Sequence, residues 1–201
     1  MVASTLTIKE DVYIYPTDTV WGIGGSIYSQ QVYKEISLIK KTNERKPLSV
    51  LCSGLKQLRQ FIDIPSEISD DWLNKFYSFE SSLALPKKWV RGELPEWVCY
   101  DSDYISIRCL DIIEVKELIE KVGTPITSTS LNITSKDPIT NSSDAKKFLD
   151  EYAKNCTFVS AKEAKLSGMS STIIAYDGKG FQCFRKGFFF NEIEGLLEEI
   201  V

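Results

Sequence analysis

Histidine is absent from all 201 residues. That absence excludes Ser-His-Asp triads, His-ligated metals and imidazole acid–base chemistry. Any chemistry must rest on lysine, arginine, hydroxyls, carboxylates or a metal ion brought in by a substrate. Cysteine is sparse: Cys52, Cys99, Cys109, Cys156 and Cys183 are five in number, and no two have C-x-x-C spacing. This pattern argues against a disulfide framework or a zinc knuckle, and it suits small buried hydrophobes. No apolar run is long enough to span a bilayer. The start, MVASTLTIKEDVYIYP, has no charged n-region followed by an apolar stretch, so no signal peptide is expected. A cytoplasmic protein without a membrane partner is the expectation. Basic residues are outnumbered, 24 against 28 acidic, for a net charge of −4. That balance weighs against a dedicated nucleic-acid binder. No G-x-G-x-x-G fingerprint is present, so a dinucleotide fold is not indicated.

What remains is ordinary globular material. Hydrophobic residues make up 43% and charged residues 26%, enough for a sizeable core. The length suits one domain over residues 1–201. Strand-like runs lie at 12–17, 47–52, 81–86, 104–109, 124–130, 156–161, 171–177 and 181–187, rich in β-branched and aromatic residues and flanked by turn formers. Helical spacing links Val32, Ile36 and Ile39; Leu55, Leu58 and Ile62; Trp72, Leu73 and Phe76; and Val115, Leu118, Ile119 and Val122. It recurs in Phe148, Leu149 and Tyr152 behind an expected cap at Ser143, and in Ile193, Leu196, Leu197 and Ile200. Strands and helices mix without strict βαβ alternation. An α+β fold on a mixed sheet is therefore expected over a doubly wound one.

Four stretches place polar groups at strand ends. YPTDTVWG (15–22) breaks an apolar run with Pro16 and sets Thr17 and Thr19 two apart. Gly22, Gly24 and Gly25 follow; they suit either a Gly-rich turn or close backbone approach to a ligand. KKTNERKPL carries Lys40, Lys41, Arg45 and Lys46, which read as a solvated surface or as an anion site for phosphates. In YISIRC, alternation puts Tyr104, Ser106 and Arg108 on one face and Ile105, Ile107 and Cys109 on the other. Arg108 then either covers a wet sheet face or binds an anion. In the stretch 124–144, ten of 21 residues are Ser or Thr, suited to irregular turns or to phosphate and ribose hydrogen bonds. Near the end, Asp177-Gly178 signals a hairpin, with Arg185 and Lys186 beyond its second strand.

Taken in order, YPTDTVWGIGG, KPL, SIR, STSLN, STII and FRKG resemble the YrdC-type family of threonylcarbamoyl-adenylate synthases, over about Tyr13 to Gly187. The resemblance implies a twisted mixed sheet flanked by helices around a large, positively lined concave cavity. It implies an enzyme joining L-threonine, bicarbonate and ATP, with Mg²⁺ on the nucleotide, into threonylcarbamoyl-AMP and pyrophosphate. The product would feed the transferase machinery of the tRNA t6A modification, and family members also bind double-stranded RNA. Position by position, Thr17, Thr19 and Ser171 resemble the threonine-site residues. Lys40, Arg108, Ser130, Asn132, Thr140 and Arg185 resemble ATP contacts, with Lys40, Ser130 and Asn132 nearest the chemistry. The sequence departs from the pattern at Thr42, where the family's K-x-R motif has arginine, and at Tyr77–Ser82, where a Trp-Pro-Gly-Pro-x-Thr segment is usual. The alternative implied by these departures is a non-catalytic paralogue that binds nucleotide, tRNA or duplex RNA.

Overall fold

Nine short strands form a single sheet in the computed structural model, which describes residues 9–42, 45–160 and 166–200. They are β1 (Tyr13–Pro16), β2 (Trp21–Gly24), β3 (Ser49–Cys52), β4 (Ser81–Pro86), β5 (Tyr104–Cys109), β6 (Ile126–Ser130), β7 (Thr157–Phe158), β8 (Thr172–Tyr176) and β9 (Phe181–Arg185). Their order across the sheet is β7-β1-β2-β6-β3-β5-β4-β8-β9. The pairs β1/β7, β3/β5 and β4/β8 are parallel and the other five antiparallel. The mixed α+β sheet anticipated from sequence is the one observed.

Every strand-like run contains a strand, but β2 falls where the sequence suggested only a turn. Its WGIG has two glycines, which score poorly as strand formers. Neighbouring chain explains them. A Cβ on Gly24 would lie 1.7 Å from the Thr127 carbonyl oxygen, and one on Gly22 would lie 2.8 Å from the Tyr15 ring. These glycines admit an adjacent strand and an adjacent ring, and Gly22 also lines a cavity beside the β1–β2 turn. The run 156–161 is also shorter than expected, pairing only Thr157 and Phe158 with β1, and residue 161 lies outside the described residues.

The helices are α1 (Gln30–Ile39), α2 (Leu55–Phe61), α3 (Asp70–Tyr77), α4 (Glu96–Cys99), α5 (Ile113–Val122), α6 (Ser142–Tyr152) and α7 (Phe190–Leu197). Spacing does not mark the short α4; in α6 Phe148 is buried but Tyr152 is exposed, and the others bury most of the apolar residues their spacing marks. Helix α6 starts earlier than expected. Its cap is Asn141, whose Oδ1 accepts from the Asp144 N–H at 2.9 Å, and Ser143 lies inside the helix. Asparagine caps as well as serine does, so the earlier residue takes the position.

Three apolar clusters hold these layers. The largest packs Val50, Ile107, Leu83 and Ile174 of the sheet against Leu58, Trp72, Phe76 and Ile193 of α2, α3 and α7. A second packs Ile14, Trp21 and Ile23 against Val32 and Ile36 of α1 and Phe148 of α6. In the third, α5 covers Tyr13, Tyr15, Leu51 and Ile126. Alternation along β5 sends Ile105, Ile107 and Cys109 into the first cluster and turns Arg108 to the opposite face. There it meets the β1–β2 turn.

Candidate functional site

Thr17 opens the β1–β2 turn, and its hydroxyl is spent on building it. Thr17 Oγ1 donates to the Val20 carbonyl at 2.7 Å and accepts from the N–H groups of Thr19 and Val20 at 3.1 and 3.2 Å. A hydroxyl has one proton. The 2.9 Å contact between the Thr17 and Thr19 hydroxyls therefore has Thr19 as donor. This leaves Thr19 Oγ1 to accept from Arg108 NH1 at 3.4 Å.

Arg108 is 7% exposed. Its NH2 forms an ion pair with Asp18 Oδ1 at 2.6 Å, and its Nε donates to the Ser81 carbonyl at 3.1 Å. A second guanidinium stands nearby. Arg185, at the end of β9, donates from Nε to the Ser171 carbonyl at 2.8 Å and from NH2 to the Ser171 hydroxyl at 3.0 Å. Ser171 is held from the other side by the Ser82 hydroxyl at 2.9 Å. Burial, and then the charge of Arg108, push Arg185 below the usual arginine value. Among the described residues no acidic group pairs with it. Two confined cations, one of them paired with a carboxylate, make a cavity that attracts an anion.

This cavity measures about 190 Å³ and is lined by Thr17, Thr19, Arg108, Ser130, Ser171 and Arg185 among others. A second cavity of about 240 Å³ adjoins it, lined by Lys40, Thr42, Lys46, Leu48, Asn132 and Ser135 among others. Pro47, Thr129 and Ser130 line both. The KPL segment and the end of β6 thus form a shared wall.

Lys40, at the C-terminal end of α1, organises the second cavity. Its Nζ donates to the carbonyls of Ser130 and Asn132 at 2.6 and 3.1 Å and to Asn132 Oδ1 at 2.7 Å. The same Oδ1 accepts from the Ser130 hydroxyl at 2.8 Å, and Asn132 Nδ2 donates to the Lys136 carbonyl. Burial holds Lys40 down to about 8. The loop after β6 is therefore tied to helix α1 by one buried ammonium group.

Eight of the nine residues nominated from sequence line one or both of these two cavities: Thr17, Thr19, Lys40, Arg108, Ser130, Asn132, Ser171 and Arg185. Thr140 does not. It is exposed, and its methyl group faces the Gly168 position. Lys41 and Arg45 line neither of these two cavities; together with Thr42 they line a third, of about 760 Å³, on the other side of Thr42. Lys41 sits over the Tyr152 ring and Arg45 over the Tyr100 ring. Lys46 is the further cation lining the second cavity. The sequence reading also passed over Asp18, Ser81 and Ser82. Asp18 stood between two nominated threonines, a visible signal. The serines lie in the divergent Tyr77–Ser82 segment, where no motif pointed to them.

The Sua5/YciO/YrdC family model, described as telomere recombination, matches residues 6–187. The chain belongs to this family. Among its relatives is the threonylcarbamoyl-AMP synthase of Hydrogenovibrio crunogenus, 25% identical over 141 residues, covering 69% of this chain and 74% of that protein. The synthase of Wigglesworthia glossinidia brevipalpis is 28% identical over 142 residues, covering 69% and 71%. The fold matches P. abyssi Sua5 crystallised with L-threonine at a TM-score of 0.80 and 21% identity, over 98% of this chain and 57% of that one. It matches E. coli YciO at 0.69 and 20%, over 88% and 83%. The chain thus spans little more than half the length of that Sua5 chain. No helix among the described residues is long and apolar enough to cross a membrane.

Proposed function

We propose that this member of the Sua5/YciO/YrdC family is a threonylcarbamoyl-AMP synthase. The observation that carries the reading is convergence. Groups from residues 17 and 19, 40, 42, 46–49, 108, 128–130, 132, 171 and 185 line two adjoining cavities that share one wall. The smaller, hydroxyl-rich and bearing two arginines, suits an amino acid. The larger, with Lys40, Lys46 and Asn132, suits a nucleotide.

The reaction fits a chain without histidine. The threonine amine attacks the bicarbonate carbon and water leaves to give the carbamate, whose oxygen then attacks the α-phosphorus while pyrophosphate leaves. Neither step needs a protein nucleophile. What it needs is three substrates held in line and the growing negative charge offset. Lys46 and Arg185 supply charge at the two ends. Lys40 supplies charge and also fixes the Ser130–Asn132 loop against the shared wall. Mg²⁺ would arrive on the nucleotide and neutralise the departing pyrophosphate. Among the described residues no group of three or more His, Cys, Asp or Glu side chains is placed to hold a metal ion. The product is a mixed anhydride, the activated form that a tRNA t6A transferase consumes.

The test is direct. Purified protein with ATP, Mg²⁺, bicarbonate and L-threonine is expected to release pyrophosphate only when both threonine and bicarbonate are present, with threonylcarbamoyl-AMP identified by mass spectrometry. No product at saturating substrates would end the reading and leave the binding-only alternative.

A further inference from the structure

We infer that the cleft between α1 and α4 is a second nucleotide site: it takes a nucleobase and its phosphate from a nucleotide other than the one that reacts. The cleft measures about 760 Å³, within the roughly 300–1,000 Å³ of small-ligand sites. Tyr33 and Lys34 of α1, Trp97 of α4 and Tyr100 just beyond α4 line it together with Lys41 and Arg45. It adjoins the second cavity across Tyr33, Ser37 and Thr42, which line both. Thr42 stands on that boundary where the K-x-R motif has an arginine, so a short side chain separates the two. The cleft shares no lining residue with the cavity of Arg108 and Arg185. It therefore lies beyond the second cavity from the place where threonine would meet the α-phosphorus. That placement of the reacting groups rests on the synthase reading; the chemistry of the cleft does not.

Three aromatic rings offer stacking surface. Tyr33 and Tyr100 meet edge to face, their centroids 5.7 Å apart at 61°. Trp97 is fixed by its indole N–H, which donates to the Ile27 carbonyl at 3.0 Å. All three are half-buried, so each keeps part of its surface open. Cations accompany the rings. The Arg45 guanidinium lies 6.0 Å over the Tyr100 ring, and Lys34 and Lys41 are exposed. Among the described residues none of the three forms an ion pair, and Glu96 is the one acid lining the cleft. Aromatic faces stack on any base, while guanidinium and ammonium groups take the phosphate. An apolar ligand would leave those charges unanswered, and a bare phosphate would leave the rings unused. The backbone adds a separate sign. Lys41 and Tyr100 have φ of 51° and 45°, a left-handed conformation that a bulky residue adopts only where its surroundings hold it. Of the two other non-glycine residues with positive φ among those described, Ser135 lines the second cavity. Strain of this kind gathers at ligand sites.

The base belongs either to a free nucleotide or to an RNA single strand, and the test separates the two. L-Threonine and α,β-methylene-ATP, which cannot release pyrophosphate, are held at saturation so that the first two cavities are filled. AMP and a single-stranded RNA hexamer are then titrated by calorimetry against the wild type, Tyr100→Gly and Arg45→Gln. At least one probe is expected to bind the wild type. Tyr100→Gly removes a ring at a backbone position that glycine adopts freely, and should weaken that binding about tenfold. Arg45→Gln removes an exposed charge without touching the core, and should weaken it about fivefold. The Kd of α,β-methylene-ATP itself should stay within about twofold in both variants. AMP binding assigns a free nucleotide. Hexamer binding with AMP silent assigns a strand, and its affinity should then fall as salt rises. No binding of either probe at about 1 mM overturns the inference. So does binding that neither variant weakens. A tenfold loss of α,β-methylene-ATP binding in both variants also overturns it, because the cleft would then belong to the reacting nucleotide. If the protein makes no product, the synthase reading fails by itself, and binding that Tyr100→Gly weakens still places a nucleotide in the cleft.

Discussion

The charge on Lys40 should set an upper pH limit on nucleotide use. Lys40 is 9% exposed, and burial holds it down to about 8 from its ordinary 10.5. Its three protons already meet three oxygens, two carbonyls and one side-chain amide. A nucleotide thus meets its charge and the loop it fixes more than a spare donor. One pH unit above a pKa of about 8, only about a tenth of the molecules keep that charge. The expected result is an ATP kcat/KM that falls about tenfold for each pH unit above about 8. Bound phosphates favour the ammonium form, so the limb in kcat should appear at higher pH. Lys40→Arg keeps a charge at every accessible pH and should remove the limb, at some cost in absolute rate from the altered geometry.

Stability supplies an independent reading of the same group. Between about 8 and 10.5 the unfolded chain holds a proton on Lys40 that the native chain has released. Stability from this group is present above 10.5 and is lost as pH falls through about 8. The span of about 2.5 units corresponds to about 3 kcal/mol at most. Buried thiols act oppositely. Burial raises Cys52, Cys99, Cys109 and Cys156, so their contribution is present below the ordinary thiol value of 9 and lost above it. The Lys40 contribution must therefore be read as the wild-type minus Lys40→Met difference in urea denaturation. A flat ATP profile through pH 8 to 9, or the same limb in Lys40→Arg, refutes the reasoning.

Gly24→Ala would place a methyl group 1.7 Å from the Thr127 carbonyl. Backbone must then move, and a loss of about 3 kcal/mol, or roughly 5–10 °C in Tm, is expected by calorimetry. An unchanged Tm would show that β2 and β6 are not as closely paired as described. Thr140→Ala should leave ATP KM within about twofold, because Thr140 is exposed and lines neither of the two site cavities. A larger rise would return Thr140 to the nucleotide site.

The local pattern carried much of the site. Thr17, Thr19, Ser130 and Asn132 were visible as polar groups at strand ends, and the order of short motifs made them a set. Alternation in YISIRC put Arg108 opposite a buried isoleucine face. Yet β2 was not legible, because its glycines answer to Tyr15 and Thr127, residues that only folding brings near. Thr140 lies outside the two cavities for a related reason: a motif fixes spacing along the chain, while the turn after β6 decides where each residue falls.

The amino-acid order determined the chemistry available here: no imidazole, many hydroxyls, and cations grouped at a few strand and helix ends. Periodicity determined which faces would be buried, since an apolar stripe has one low-energy place to go. Folding alone decided that Asp18 would close on Arg108, that Arg185 would have no acid beside it among the described residues, and that Lys46 would line the second cavity while Lys41 and Arg45 line another. Those outcomes depend on separations of a few ångströms between residues up to 90 positions apart, and charge interactions fall off too steeply with distance for sequence spacing to specify them.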